Sequence, residues 1–198
     1  MLKRRLNHVI LVSGKARSGK NQFAEYLKEN LEERNLVVAT DLFARGVKDG
    51  CREDFSELVK YLNEHTNIKT QDYNWYENKT ELTRILLQIY GTNIFRNRVD
   101  GDWWVKKQIE RILRMDANVC IITDARFPNE IDLVKEKLGK LCTVFSIRIN
   151  RHYQETGIPN HASEVALDNY LDFDYIYDND GSLEQLNEFA SIVVDDIS

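Results

Sequence analysis

Gly14, Gly19 and Lys20 stand at the spacing Gly-x-x-x-x-Gly-Lys. They come directly after the apolar run Val9-Ile10-Leu11-Val12 and before a stretch where Phe23, Tyr26, Leu27 and Leu31 recur at helical spacing. A strand, a glycine-bounded turn and a helix N-terminus in that order form a phosphate cradle. The glycines let backbone N–H groups turn inward, the helix end adds partial positive charge, and the lysine reaches the terminal phosphates. Gly14, Lys15, Ala16, Arg17, Ser18, Gly19 and Lys20, with Asn21 and Gln22 after them, are therefore the candidate contacts of a phosphate chain. Asn21 fills the position where Ser or Thr normally offers a hydroxyl to Mg²⁺.

Phosphoryl transfer needs such a cradle, a metal-holding carboxylate, cations over the transferred group and an acceptor held in line. Asp124 ends the apolar run Val119-Cys120-Ile121-Ile122-Thr123, where a carboxylate can hold Mg²⁺ directly or through water, or can cap the turn that follows. Asp41 closes another apolar run and could orient an acceptor phosphate or accept a proton; it could equally be the N-cap of the next helix. Arg45 and Lys48 fall on one helical face beyond it, with Arg52 close by, either clamping an acceptor phosphate or facing solvent. Arg126 lies two residues past Asp124, near the metal end. Arg148 and Arg151 flank the end of a later apolar stretch and lead into a polar loop, the kind that can cover phosphates and exclude water. Trp103 and Trp104 could stack on a base, although an aromatic on a helix more often fills a core.

These residues need elements to position them. Apolar patterning predicts strands at 8–13, 35–40, 118–124, 141–149 and 173–177. It predicts helices after the glycine loop, over 53–65, over 80–90 with a stop at Gly91, over 103–115 capped by Asp102, over 128–138 opened by Pro128, over 161–170, and after Ser182. Residues 42–48 read as a mobile segment broken by Gly46 and Gly50, and 67–78 as a loop. Strands alternating with helices imply a parallel sheet covered on both faces. Ligands of such sheets sit at the strands' carboxyl ends, where Gly14, Asp41 and Asp124 all fall.

Composition narrows the setting. A chain of 198 residues, 42% hydrophobic and 30% charged, suits one domain with a real core. A net charge of −5 does not favour nucleic acid, so an anion site must be a local basic cluster. No apolar run approaches membrane-spanning length, and Lys3-Arg4-Arg5 precedes too short an apolar stretch for a signal peptide. Cys51, Cys120 and Cys142 are odd in number and far apart, which reads as reduced residues of an intracellular protein.

With these residues assembled, the chain resembles the bacteriophage deoxynucleoside monophosphate kinases, a branch of the adenylate-kinase-like P-loop kinases. The stretches that carry the resemblance are 14–20, Gln88-Ile89-Tyr90-Gly91-Thr92, Asp102-Trp103-Trp104-Val105, Thr123-Asp124-Ala125-Arg126-Phe127-Pro128-Asn129-Glu130, His161-Ala162-Ser163-Glu164 and Tyr177-Asp178-Asn179-Asp180-Gly181-Ser182-Leu183. It implies an α/β, three-layer P-loop NTPase fold with a five-stranded parallel sheet and helices on both faces. The core would take about 1–40 and 117–198, a mostly helical acceptor-binding insertion about 41–116, and a small lid about 150–165. It implies ATP- and Mg²⁺-dependent transfer of the γ-phosphoryl group to a deoxynucleoside monophosphate, with Lys20, Asp41, Arg126 and Arg151 at the reacting groups. The acceptor would meet Asp41, Phe43, Arg45, Lys48, Thr92, Arg96, Trp104 and Arg126, and Asn179 would lie near the adenine. The expected partners are small-molecule nucleotides, with no nucleic acid and no membrane, and the related kinases make a homodimer plausible. The expected compartment is the cytoplasm, that of the host if the chain is phage-encoded.

One departure stands out. The family usually reads Lys-Asp-Thr where this chain reads Lys20-Asn21-Gln22. A neutral amide is a weaker partner for Mg²⁺ or its waters than a carboxylate or hydroxyl. That leaves two alternatives: a nucleotide-binding protein of low or no activity, or a P-loop kinase for another small acceptor such as dephospho-coenzyme A. A switch-type GTPase is disfavoured, because the sequence holds no Asn-Lys-x-Asp stretch to read guanine.

Overall fold

The computed structural model describes residues 4–66, 81–152 and 165–197. The chain forms two compact units, Met1–Leu42 with Ile109–Ser198, and Phe43–Gln108.

In the first unit, β1 (His8–Ser13), β2 (Val38–Asp41), β3 (Val119–Ala125), β4 (Thr143–Asn150) and β5 (Tyr175–Asp178) form one sheet in the order β2-β3-β1-β4-β5. Every pairing is parallel. The central strands β1 and β3 are buried on both faces, which is why they read as nearly unbroken apolar runs. Ile10, Val12, Val119, Ile121, Ile147 and Ile149 turn to one face. There they meet Phe23, Leu27 and Leu31 of α1 (Lys20–Glu33) and the apolar side of the last helix, Leu183–Ile197. The alternate residues Val9, Leu11, Cys120 and Ile122 are equally buried. Ile131, Val134 and Leu138 of the helix Pro128–Leu138, which runs beside β4, are buried as well.

The second strand shifts its expected boundary, and the last helix keeps its own. The second strand starts at Val38 rather than residue 35, because Asn35 adopts a left-handed φ of 61° in the turn that closes α1. The last helix begins after Ser182, as its sequence predicts: Ser182 Oγ accepts the Gln185 N–H at 3.3 Å, and Gln185 Oε1 accepts the Ser182 N–H at 2.9 Å.

The second unit departs more from its sequence reading. Residues 43–65 form a single helix, α2 (Phe43–His65), which runs straight through Gly46 and Gly50. The helix α3 (Glu81–Gln88) likewise does not stop at Gly91 but widens into a π-helical stretch, Ile89–Val99. The glycines serve close packing here. A Cβ at Gly46 would lie 3.2 Å from the Trp104 ring, one at Gly50 would lie 2.6 Å from the Tyr90 hydroxyl, and one at Gly91 would lie 3.0 Å from Val47. Tyr90, Phe95, Trp103 and Trp104 stack into one cluster with Cys51, Phe55 and Val59. The helix α4 (Trp103–Arg114) follows, its entry fixed by Asp100, whose carboxylate accepts the Asp102 N–H at 2.9 Å and pairs with Lys106.

The helix α5 (Pro128–Leu138) and α6 (Leu183–Ile197) complete the described elements. All three cysteines are free, and Cys51 and Cys120 are fully buried. Among the described residues no helix is long and apolar enough to cross a membrane. The expected loop at 67–78 lies outside the described residues, as do 153–164, most of the expected lid. Of the helix expected over 161–170, the described part is a turn in which Asp168 N–H reaches the Val165 carbonyl at 3.0 Å.

Candidate nucleotide site

The glycine loop leaves the central strand and enters α1 at Gly19, which has a φ of 92°. That left-handed conformation favours glycine, and a Cβ there would also collide with the Asn179 amide. Gly14 is needed for space, since a Cβ would lie 2.6 Å from the Ile149 carbonyl oxygen. Between them Arg17 holds a φ of 61°, and Ser18 N–H closes a turn on the Lys15 carbonyl at 3.2 Å. The first turn of α1 contains no acidic residue, so nothing of its own neutralises the positive end of the helix. Lys20 extends back across the loop and donates to the Lys15 carbonyl at 3.1 Å. Ala16, Arg17, Asn21 and Gln22 are exposed, and Lys15 is half-buried with its Nζ 2.8 Å from Asp168.

Asp124 lies where an irregularity in the sheet falls, near the end of the strand that feeds this loop. Leu11 lies opposite Ile122, yet Ser13 lies opposite Ala125, so β3 carries one extra residue against β1. Bulges of this kind re-aim side chains next to active sites, and here the step falls at Thr123-Asp124, both half-buried. The turn beyond is fixed by Glu130, only 3% exposed, whose Oε2 accepts the N–H of Arg126 at 2.7 Å and of Phe127 at 3.2 Å. With Pro128 opening α5, this explains the Arg126-Phe127-Pro128-Asn129-Glu130 stretch: the carboxylate satisfies amides that the helix start leaves without partners. The half-buried Arg126 is thereby held at a set distance from Asp124 along the chain.

Asp41 ends β2 and is 3% exposed. Arg111 Nη2 lies 2.9 Å from one of its oxygens and 2.8 Å from the other. The ion pair fixes the direction in which the carboxylate points. The sequence reading missed Arg111, which carries no local signal; only the fold brings α4 to the end of β2. Asn179, expected near the adenine, is 5% exposed, and its Nδ2 donates to the Ser18 carbonyl at 2.9 Å. It braces the loop from the end of β5.

Arg151 is exposed at the end of β4. Beside it His152 donates its N–H to Asp180 at 2.9 Å, and its Nδ1 lies 2.7 Å from the other oxygen. That hydrogen bond, helped by the charges of Asp180 and Asp178, raises the histidine pKa above its ordinary 6.5.

The remaining expected acceptor residues belong to the second unit. Phe43 and Lys48 are buried, Thr92 and Arg96 half-buried, and Arg45 exposed. Trp104 is 6% exposed with its indole N–H donated to the Gly91 carbonyl at 2.9 Å, so its ring belongs to the aromatic cluster. The Cys51 thiol in the same cluster is pushed up to about 12 by burial and by Asp54, which keeps it protonated and inert.

Among the described residues no group of three or more His, Cys, Asp and Glu gathers as a metal site. The half-buried carboxylate of Asp124 at the β3 register step fits an ion completed by phosphate oxygens and water, the way Mg²⁺ is commonly held.

The chain is similar to known proteins. A deoxynucleoside-5'-monophosphate kinase of Escherichia phage T5 is 34% identical over 89 residues, 42% of this chain and 36% of that protein, so the match spans little more than a third of the phage enzyme. A putative deoxynucleotide monophosphate kinase of Acanthamoeba polyphaga mimivirus is 28% identical over 204 residues, 95% of this chain and 96% of that protein. Among solved structures, the Mycobacterium tuberculosis APS kinase in complex with AMPPNP and APS aligns over 97% of both chains with a TM-score of 0.49 and 13% identity. The family model for deoxynucleotide monophosphate kinase matches residues 47–189, which is most of the chain, and the protein belongs to that family.

Proposed function

We propose that this protein transfers the γ-phosphoryl group of ATP to a deoxynucleoside monophosphate, releasing the diphosphate and ADP. One observation supports the reading: in a chain of this family, a Gly-x-x-x-x-Gly-Lys loop leaves the central strand, and Asp124 falls at the register step where β3 pairs with the end of that strand. The loop and the α1 N-terminus bind the phosphate chain, and Lys20 moves from the Lys15 carbonyl to the terminal phosphates. Asp124 would hold Mg²⁺, which neutralises charge on the phosphates. Arg126 and Arg151 supply cations over the transferred group, and Asp41, braced by Arg111, faces the acceptor hydroxyl or phosphate. Phe43, Arg45, Lys48, Thr92 and Arg96 enclose the acceptor nucleotide. The division into a core of about 1–40 and 117–198, an acceptor-binding insertion of about 41–116 and a lid of about 150–165 belongs to the same reading, as do a homodimer and a cytoplasmic site of action, that of the host if the chain is phage-encoded.

The test is ADP release with ATP, Mg²⁺ and each of the four deoxynucleoside monophosphates. Turnover with one or more is expected, and Lys20→Ala should lower kcat by orders of magnitude while leaving the fold intact. Near-normal turnover in that variant would remove the loop from the mechanism. One observation favours a second reading: Asn21 and Gln22 are exposed neutral amides where the family usually carries a carboxylate and a hydroxyl. ATP binding with no turnover on any of the four acceptors would select the nucleotide-binding protein of low activity.

A further inference from the structure

Ser13 is the last residue of β1, the residue from which the phosphate loop starts, and it is 1% exposed. Directly opposite it in β4 stands Arg148, 8% exposed, whose Nη1 donates to Ser13 Oγ at 2.9 Å. The same guanidinium donates from Nε to Asn150 Oδ1 at 3.2 Å and from Nη2 to Asp168 Oδ1 at 3.3 Å. The second oxygen of Asp168 takes Lys15, from within the loop, at 2.8 Å. One carboxylate thus bridges a buried arginine at the foot of the loop and an ammonium on its rim.

Stability alone is a poor explanation for this arrangement. Taking a guanidinium out of water costs several kcal/mol, and a well-packed apolar side chain of similar volume would avoid that cost. The Lys15–Asp168 contact is partly solvated, with side chains 42% and 35% exposed, and such pairs contribute about 1 kcal/mol or less. What the network supplies is direction. A planar guanidinium bonded to Ser13, Asn150 and Asp168 at once fixes where β1 ends and therefore where Gly14 begins.

We propose that Arg148 and Asp168 are positioning residues for ATP: together they set the two ends of the Ser13–Lys15 stretch, and so the geometry in which the loop receives the phosphate chain. This rests on the reading of the loop as the ATP site.

Kinetics and direct ATP titration of Arg148→Met, Asp168→Asn, Asp168→Glu and the double variant Arg148→Met with Asp168→Asn test it, with Val193→Ala as a control. Val193 is a buried core residue on α6, and its truncation lowers Tm without touching the loop. Arg148→Met should raise the KM and Kd for ATP about tenfold, the equivalent of one well-placed contact, and leave the acceptor KM within about twofold. Asp168→Asn should move the same constants in the same direction by less, and the double variant should be no worse than Arg148→Met alone, as expected of residues acting as a unit. Asp168→Glu, which keeps the charge, should stay close to the parent protein. The control should lower Tm with ATP constants unchanged. Variants that lower Tm yet leave ATP binding within about twofold would overturn the proposal and make the pair purely structural. Tighter ATP binding in Asp168→Asn would also overturn it, because Asp168 would then compete with phosphate for the two cations. The direct titration keeps the inference separate from the proposed reaction: absent turnover would remove the reaction, whereas an unmoved Kd would remove the positioning role.

Discussion

In the unit built from Met1–Leu42 and Ile109–Ser198, polar groups at the strand ends and in the loop are held by polar side chains: Asp41 by Arg111, Ser13 by Arg148, the Ser18 carbonyl by Asn179. In Phe43–Gln108 the corresponding work is done by aromatic rings laid on glycines, Trp104 on Gly46 and Tyr90 on Gly50. The first arrangement fixes direction, because hydrogen bonds are angular. The second fixes distance, because rings and backbone meet by contact. A unit that must present a phosphate cradle needs the former, and the latter is sufficient to keep helices packed.

Gly14→Ala should break the directional side most severely. Its Cβ would sit 2.6 Å from a backbone oxygen of β4, and backbone cannot move aside as a side-chain end can. We expect ATP affinity to fall by more than about tenfold, with a stability loss of about 1–3 kcal/mol, read by titration and thermal unfolding; unchanged affinity would mean the loop tolerates a different approach to β4. Gly50→Val attacks the contact side. Tyr90 is pinned by Phe55, Phe95, Trp104 and a 2.8 Å hydrogen bond to Asp54, so it cannot yield easily. The expected loss is about 2 kcal/mol or more, with the acceptor KM raised and the ATP KM unmoved. Equal movement of both constants would erase the distinction between the units.

Asn21→Asp combined with Gln22→Thr is a smaller probe. Both positions are exposed, so the fold should be indifferent, and turnover should hold or rise a few-fold if the amides merely weaken metal positioning. A fall would show a site built around its own pair.

The smallest effect belongs to His152. Its pKa is higher in the folded protein than its ordinary 6.5, so the pairing with Asp180 adds stability in full below about 6.5 and loses it as pH rises through the folded value. The partner works in the opposite sense: the hydrogen bonds from His152 lower the Asp180 pKa, so its contribution fades as pH falls through that lowered value. As pH rises above about 6.5, the parent protein should show a small fall in Tm that His152→Gln lacks. Identical profiles would leave the contact without energetic weight.

The sheet and the phosphate loop are legible because each carries its signal within a few consecutive residues: an unbroken apolar run for a parallel strand, two glycines and a lysine for the cradle. The same locality explains the misreadings. Within α2 each glycine costs about 1 kcal/mol relative to alanine, so local reasoning breaks the helix, whereas the rings that repay the cost come from Tyr90 and Trp104 far along the chain. Gly91 misleads for the same reason, since Val47 packs on it. Asp41 and Asn179 were visible as strand-end polar residues, but the partners that define their roles, Arg111 and Ser18, are set by tertiary pairing alone. Trp104 shows the limit from the other side. Its residue type suits base stacking or, more often, a core, and its ring packs into the aromatic cluster.

The strand order also bears on how the chain is made. The central strand β1 has no neighbour nearby in sequence; its partners begin at Val119 on one side and Thr143 on the other. With synthesis at roughly 5–20 residues per second, the nascent β1 must wait several seconds with both edges unpaired. Over that interval Phe43–Gln108, complete in one continuous piece, can already consolidate its aromatic cluster. The order in which parts take shape therefore departs from the order in which they emerge: the loop near the start of the sequence waits for strands made much later in the chain.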